Sequence, residues 1–205
     1  MTRFDEKAQF LDAHPVMREL ADHFSCQVEK VLRITSVSHI LDYGCGSGLV
    51  VMRLSRYAEV FVAADTSMAM LNILKSKITQ DRVANIHIAC SEIFGISARS
   101  EIFDLMYLNN VLHHISDLYG FLRAAHELLR PKGFLCVGDL CAEDGSFHEY
   151  ATDARHNGFS EDVLSRILKS AGFKHVEWYQ YYTIKKKVVS GKTREYPVFF
   201  MRAQK

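Results

Sequence analysis

The chain has 205 residues, 48% hydrophobic and 24% charged, which suits one globular domain with a proper core. Its 25 Lys and Arg stand against 24 Asp and Glu, a balance that argues against a nucleic-acid binder relying on bulk charge. The apolar runs are too short to span a bilayer, residues 1–7 lack a signal-like apolar stretch, and five cysteines without a C-x-x-C pair read as reduced, buried thiols in a cytoplasmic protein.

Residues 1–15 place Phe4 and Phe10 among charges, either as walls of a lid or as a plain lead-in. From Val16, apolar residues recur at Leu20, Phe24, Val28 and Val31 or Leu32, the face of a helix covering a sheet. Ser38-His39-Ile40-Leu41 reads as a short buried strand. It runs into Asp42-Tyr43-Gly44-Cys45-Gly46-Ser47-Gly48, and Leu49 to Arg56 can continue as a helix. Strand, glycine turn and helix form the entry to a nucleotide-type site. Glycines serve positive φ there and let a ligand approach the backbone, while free N–H groups at the helix start face it.

A dinucleotide fingerprint is G-x-G-x-x-G, with a pyrophosphate on the helix N-terminus. This chain has G-x-G-x-G, with Leu49 where the third fingerprint glycine would stand, and an acid, Asp42, two residues before Gly44. A carboxylate there suits a ligand bearing an ammonium group better than one bearing phosphates. The stretch resembles the first motif of the class I S-adenosylmethionine-dependent methyltransferases. In that family the turn holds the methionine part of the cofactor, and the acid lies near its amino group.

Glu59 to Asp65 is an apolar strand ending in an acid, 21 positions after Gly44. Such an acid accepts both ribose hydroxyls in βαβ nucleotide sites; it can instead cap the next helix, as can Thr66 or Ser67. The helix is expected over Ser67–Gln80 and a third strand over Asn85–Cys90. The resemblance implies an acid after that strand for the adenine amino group, a place held by either Ser91 or Glu92, with Ile93 and Phe94 able to sandwich a base. Phe103–Asn109 reads as the fourth strand, which puts Asn109, Asn110, His113 and His114 near the ligand edge. Taken together, the resemblance assigns the cofactor to Asp42, Tyr43, Gly44, Gly46, Gly48, Asp65, Thr66, Ser91, Glu92 and Asn109. Leu-His-His is common in the family, so the histidines either shape the wall or take part in proton transfer.

Asp117 is the expected cap of a helix over residues 118–130, stopped by Arg130-Pro131-Lys132-Gly133. Phe134–Leu140 is the fifth strand, and the phrase from His126 to Leu135 resembles a later family motif. Residues 141–160 are irregular; His148, Tyr150, Arg155 and His156 either line an acceptor pocket or lie on a solvated loop. His113, His114, His148 and His156 are the candidate proton acceptors. A helix capped by Ser160 and ending near Gly172 precedes strands His175–Lys186 and Pro197–Gln204. The connection between them is too short for a crossover, so they form an antiparallel hairpin. The basic cluster Lys185, Lys186, Lys187, Lys192 and Arg194 reads as a solvated turn, or else as a docking surface for an anionic partner.

The expected fold is α/β: a doubly wound, mostly parallel seven-stranded sheet with helices on both faces and a C-terminal antiparallel hairpin. It forms one domain over residues 1–205. Residues 1–33 make a helical cover, 34–140 the cofactor-binding core, 141–160 the acceptor-site loop and 161–205 the last helix and hairpin. The resemblance implies S-adenosylmethionine as cofactor; charge balance and small size lean towards a small-molecule methyl acceptor and away from nucleic acid, and neither a metal site nor a membrane span is expected. Two alternatives stay open: an NAD(P)-dependent oxidoreductase, opposed by Leu49 and the antiparallel ending, and a cofactor-binding accessory protein of the same fold without catalysis.

Overall fold

The strands form one sheet in the order β3-β2-β1-β4-β5-β7-β6. They are β1 (His39–Tyr43), β2 (Val60–Asp65), β3 (Ile86–Cys90), β4 (Phe103–Asn109), β5 (Leu129–Leu140), β6 (Lys174–Lys187) and β7 (Thr193–Gln204). β1 to β5 pair in parallel, and β7 lies antiparallel to both β5 and β6. The computed structural model describes residues 12–96, 101–148, 154–187 and 191–205. Its helices are α1 (Pro15–Leu32), α2 (Val51–Leu54), α3 (Met68–Asp81), α4 (Ile93–Ile96), α5 (Leu118–Leu128) and α6 (Glu161–Ser170).

Alternation along the central strands sends neighbouring side chains into two cores, because successive residues of a strand face opposite sides. Ile40, Leu105, Tyr107, Cys136 and Phe200 pack with Phe24, Val51 and Leu71 beneath α1, α2 and α3. Leu41, Met106, Leu108, Val137 and Phe199 pack with Phe121, Leu122 and Leu164 beneath α5 and α6. A strand apolar at every position, such as Leu105–Leu108, is therefore covered on both faces and sits at the centre of the sheet.

The helix after the glycine turn is shorter than its sequence suggests. One α-turn, α2, passes into a 3₁₀ turn over Ser55–Tyr57. Ser67 Oγ, not Asp65, accepts the capping bond from Met70 N–H at 3.3 Å. Asp117 Oδ1 accepts from Gly120 N–H at 2.9 Å, whereas Ser160 holds the N-cap position of α6 without a side-chain bond. The cysteines also depart from expectation: Cys45 and Cys136 are buried, but Cys26 and Cys90 are exposed. The hairpin is tied to the loop before it by an Arg194–Asp144 ion pair at 2.8 Å and by Lys186 Nζ donating to Phe147 C=O at 2.6 Å.

α5 ends at Leu128 instead of residue 130, and Leu129 is already extended (φ −75°, ψ 143°) and paired with Phe103. The register then slips, so that Leu105 faces Phe134. The physical reason lies at Asp104. Its Oδ1 accepts from Arg130 at 2.8 Å, and its Oδ2 accepts from the N–H groups of Ser38 and His39 at 2.9 and 2.8 Å. Arg130 is thereby drawn into the sheet edge, and one carboxylate joins β1, β4 and β5. Partial burial raises the Asp104 carboxyl, but the bonds from His39, Ser38 and Arg130 outweigh it and hold the group below the usual carboxylate range.

Asp104→Ala is expected to cost about 1.5–3 kcal/mol, the value of bonds to a charged group. Because the native carboxyl titrates below its unfolded value, this contribution is present above the ordinary carboxylate range and is lost as pH falls through the native value. Urea unfolding from neutral to acid pH checks it: the gap between wild type and variant narrows on acidification.

Candidate functional site

A cleft of about 570 Å³ opens at the C-terminal ends of β1, β2 and β4. β1 lies between β2 and β4, where the winding of the sheet reverses and chain crossovers leave a crevice. The glycine turn forms its floor. Gly44 and Cys45 N–H both donate to Ala64 C=O, at 2.8 and 3.0 Å, folding the turn back onto the end of β2. Gly44 has φ +74°, and a Cβ there would stand 2.4 Å from Val111 Cγ2. Gly46 also has positive φ, +52°, but faces open space and lines the cleft. Gly48 serves packing instead: a Cβ would meet Leu74 of α3 at 2.3 Å, and the residue lies outside the lining.

Asp42 is buried at the end of β1, and its Oδ2 accepts from the Tyr107 hydroxyl at 3.0 Å. Burial pushes its carboxyl up to about 8, against the lowering effect of the Tyr107 bond, and the nearby Asp65 raises it further. Asp65 is bound differently. Its Oδ2 accepts from Gly46 N–H at 2.9 Å and its Oδ1 from Ser67 N–H at 2.8 Å, so it clamps the glycine turn to the start of α3. Burial holds the Cys45 thiol well above its ordinary range, with Asp42 and Asp65 adding to the effect, which leaves it a filler in the turn rather than a nucleophile.

Tyr43, Thr66, Glu92 and Asn109 also line the cleft, as do Ile93 and Phe94. Tyr43 accepts from Ile93 N–H at 3.2 Å through its hydroxyl, and its ring packs against Phe121 with centroids 5.1 Å apart. Ser91 lies outside the lining, its hydroxyl donating to Glu92 C=O at 2.8 Å. α1 both covers the sheet and contributes Met17, Leu20 and Ala21 to the wall. The lining carries Asp42, Asp65, Glu92 and Asp117 but, among the described residues, no Lys or Arg.

The histidines separate by depth. His114 lines the cleft. His113 lies fully buried behind it, their ring centroids 3.9 Å apart. His113 Nδ1 meets Asp139 Oδ1 at 2.7 Å; a carboxylate accepts, so this nitrogen carries the proton. Asp139 also accepts from His113 N–H at 3.1 Å and Leu140 N–H at 2.7 Å. The His148 ring lies tilted against His113 with centroids 5.0 Å apart, and His156 Nε2 meets Ile115 C=O at 2.9 Å; both lie outside the lining, as does Arg155. Phe4, Phe10 and Tyr150 fall outside the described residues.

Sequence reading passed over Asp139, although an acid within the apolar run Phe134–Leu140 is itself a signal. It also passed over Asp12, which accepts from the Ser47 hydroxyl and pairs with Lys77, closing the outer side of the glycine turn. Nothing local to Asp12 marks it. Among the described residues no three His, Cys, Asp or Glu side chains group as a metal site.

Asp42→Asn is expected to stabilise the ligand-free protein. The native carboxyl titrates near 8, above its unfolded value, so its neutral form supports folding fully below the ordinary carboxylate range, and that support is lost as pH rises through about 8. Thermal melts check it: the gain in melting temperature over wild type grows from pH 4 to pH 8.

Residues 41–137 match a family model described as a methyltransferase domain. An uncharacterized methyltransferase of Schizosaccharomyces pombe is 29% identical over 153 residues, covering 67% of this chain and 54% of that protein. A ubiquinone biosynthesis O-methyltransferase of Coxiella burnetii is 27% identical over 97 residues, 47% of this chain and 41% of that protein. The chain thus spans about half the length of these curated relatives. The crystal structure of a SAM-dependent methyltransferase from Aquifex aeolicus superposes with a TM-score of 0.70 at 23% identity, covering 98% of this chain and 97% of that one. Just under half of the chain therefore matches a methyltransferase-domain model, and its fold as a whole is shared with the Aquifex structure.

Proposed function

We propose that the protein transfers a methyl group from S-adenosylmethionine to a small-molecule acceptor. The observation that carries this reading is the charge of the cleft: four carboxyl side chains and no Lys or Arg among its described lining residues. Such a lining attracts a ligand with an ammonium and a sulfonium centre and repels a pyrophosphate. Asp42 receives the ammonium end, and Gly46 leaves room for it beside the main chain. Asp65, already fixed by two N–H groups, receives the ribose hydroxyls. Glu92 is better placed than Ser91 for the adenine amino group, with Ile93 and Phe94 beside it. Tyr43 and Thr66 complete the wall, and Asn109 stands at the end of β4, where the acceptor enters.

When bound, the cofactor supplies an already activated methyl group, so the chain need not generate an electrophile. What the residues contribute is position and exclusion of water. α1 closes one side with Met17 and Leu20, and Val111 and Ile115 close the other. The cleft volume, about 570 Å³, suits a small acceptor, and its acidic lining does not suit a nucleic acid. The O-methyltransferase name of the Coxiella relative fits the same class of acceptor.

An NAD(P)-dependent reductase fits poorly. The sequence does contain Tyr181-x-x-x-Lys185 and Tyr182-x-x-x-Lys186, a spacing used by some reductases on a helix. Here both lie on strand β6, where such a pair is stretched over about 13 Å. Calorimetry with S-adenosylhomocysteine and with NADH decides between the two: binding of the first alone is expected, and binding of NADH alone reverses the reading.

Asp65→Ala is expected to weaken S-adenosylhomocysteine about 10–150-fold, the equivalent of about 1.5–3 kcal/mol for a lost charge-assisted contact. An unchanged Kd would move the ribose elsewhere. Asp42, with its carboxyl near 8, is mostly protonated at neutral pH and must ionise to hold an ammonium group. Binding at pH 7 is therefore expected to release close to one proton and to tighten as pH rises towards 8. Calorimetry in two buffers of different ionisation enthalpy measures this, and Asp42→Asn removes it.

A further inference from the structure

Resting on the methyltransferase reading, we infer that His114, positioned by the buried His113–Asp139 pair, takes a proton from the acceptor, which is therefore an uncharged protic group. Asp139 is fully buried, accepts three N–H bonds and has His113 as its side-chain partner. Those bonds fix the proton of His113 on Nδ1, and its Nε2 is buried with no partner among the described residues. The ring of His113 cannot reach a ligand itself, being fully enclosed. It lies against the ring of His114, which does face the cleft. Two imidazoles at this distance do not both carry charge, because like charges so close repel. With one buried carboxylate behind them, the pair is built to carry at most one positive charge.

The amide oxygens of Asn109 and Asn110, both residues lining the same cleft, have no hydrogen-bond partner among the described residues. Asn110 is held there with φ +60°, in the left-handed region, its N–H donating to Gly138 C=O at 2.7 Å. Oxygens without donors call for a group that brings hydrogen. A neutral hydroxyl or N–H acceptor does so.

The chemistry balances. A lone pair of the acceptor forms a bond to the methyl carbon, and the sulfur–methyl bond breaks with its electrons left on sulfur. The acceptor's bond to hydrogen breaks, and the proton passes to an imidazole nitrogen of His114. One positive charge leaves the sulfonium and one appears on the imidazole, so the net charge of the site stays constant. Among the described residues, Cys141 and Tyr181 lie within reach of the Asp139 charge, the His148 ring is 5.0 Å from that of His113, Arg155 and His156 donate their N–H groups to His113 C=O, and Asp117 lines the same cleft. Burial raises both the Cys141 thiol and the Tyr181 hydroxyl, so neither competes as an anion.

The test compares S-adenosylmethionine with S-adenosylhomocysteine by calorimetry in phosphate and Bis-Tris at several matched pH values. The two ligands share the amino-acid and adenosine ends, so proton release from Asp42 cancels in the difference. A sulfonium in the cleft drives the shared proton off the imidazoles, and a neutral thioether does not. S-Adenosylmethionine is expected to release more protons. The excess is lost in His114→Gln and reduced in Asp139→Asn. If the Asp139 variant does not fold, His114→Gln carries the comparison. Equal proton counts in the wild type, or an excess that survives His114→Gln, overturn the inference while leaving the methyltransferase reading intact. Failure of both ligands to bind overturns the two together.

Discussion

The carboxyl of Asp42 is taken out of water at the end of the central strand with a tyrosine hydroxyl beside it and no Lys or Arg among the described cleft residues. An ionised carboxylate in such a place is costly until a positive charge arrives. Much of the site follows from that. The main chain turns at Gly44 against Val111 and faces open space at Gly46, and Asp65 holds the turn in shape from the next strand. A fold that buries an acid without a cationic partner at its switch point gives up stability there.

Four aspartates at strand ends show how environment sets role. Asp104 meets Arg130 and two N–H groups at the far edge of the sheet and serves as a pin. Asp65 meets only N–H groups and lines the cleft, a clamp on the glycine turn. Asp139 meets an imidazole and is buried behind the wall. Asp42 meets a hydroxyl and remains to be neutralised. The side chain is the same in each case; the donors brought to it differ.

Much of the fold was legible because strands covered on both faces must be apolar throughout, and Leu105–Leu108 and Leu135–Val137 are. The closing hairpin was legible from chain length, since a short connection cannot carry a crossover. The end of α5 was not. Pro131 and Gly133 mark a helix stop, but the stop comes earlier because Arg130 is held by Asp104, 26 residues away. Ser91 and Glu92 are adjacent and both polar, and only the path of the chain after β3 turns Glu92 towards the cleft.

By itself, the sequence determined the order of elements, the glycine turn and the two acids flanking it. Those are local matters of period, φ preference and spacing, carried by neighbours along the chain. The depth of each histidine, the partner of Asp139 and the absence of a positive charge across the described cleft lining were decided by tertiary structure alone. Each depends on which distant strand ends meet at the switch point, and burial and Coulomb interactions act through space rather than along the chain.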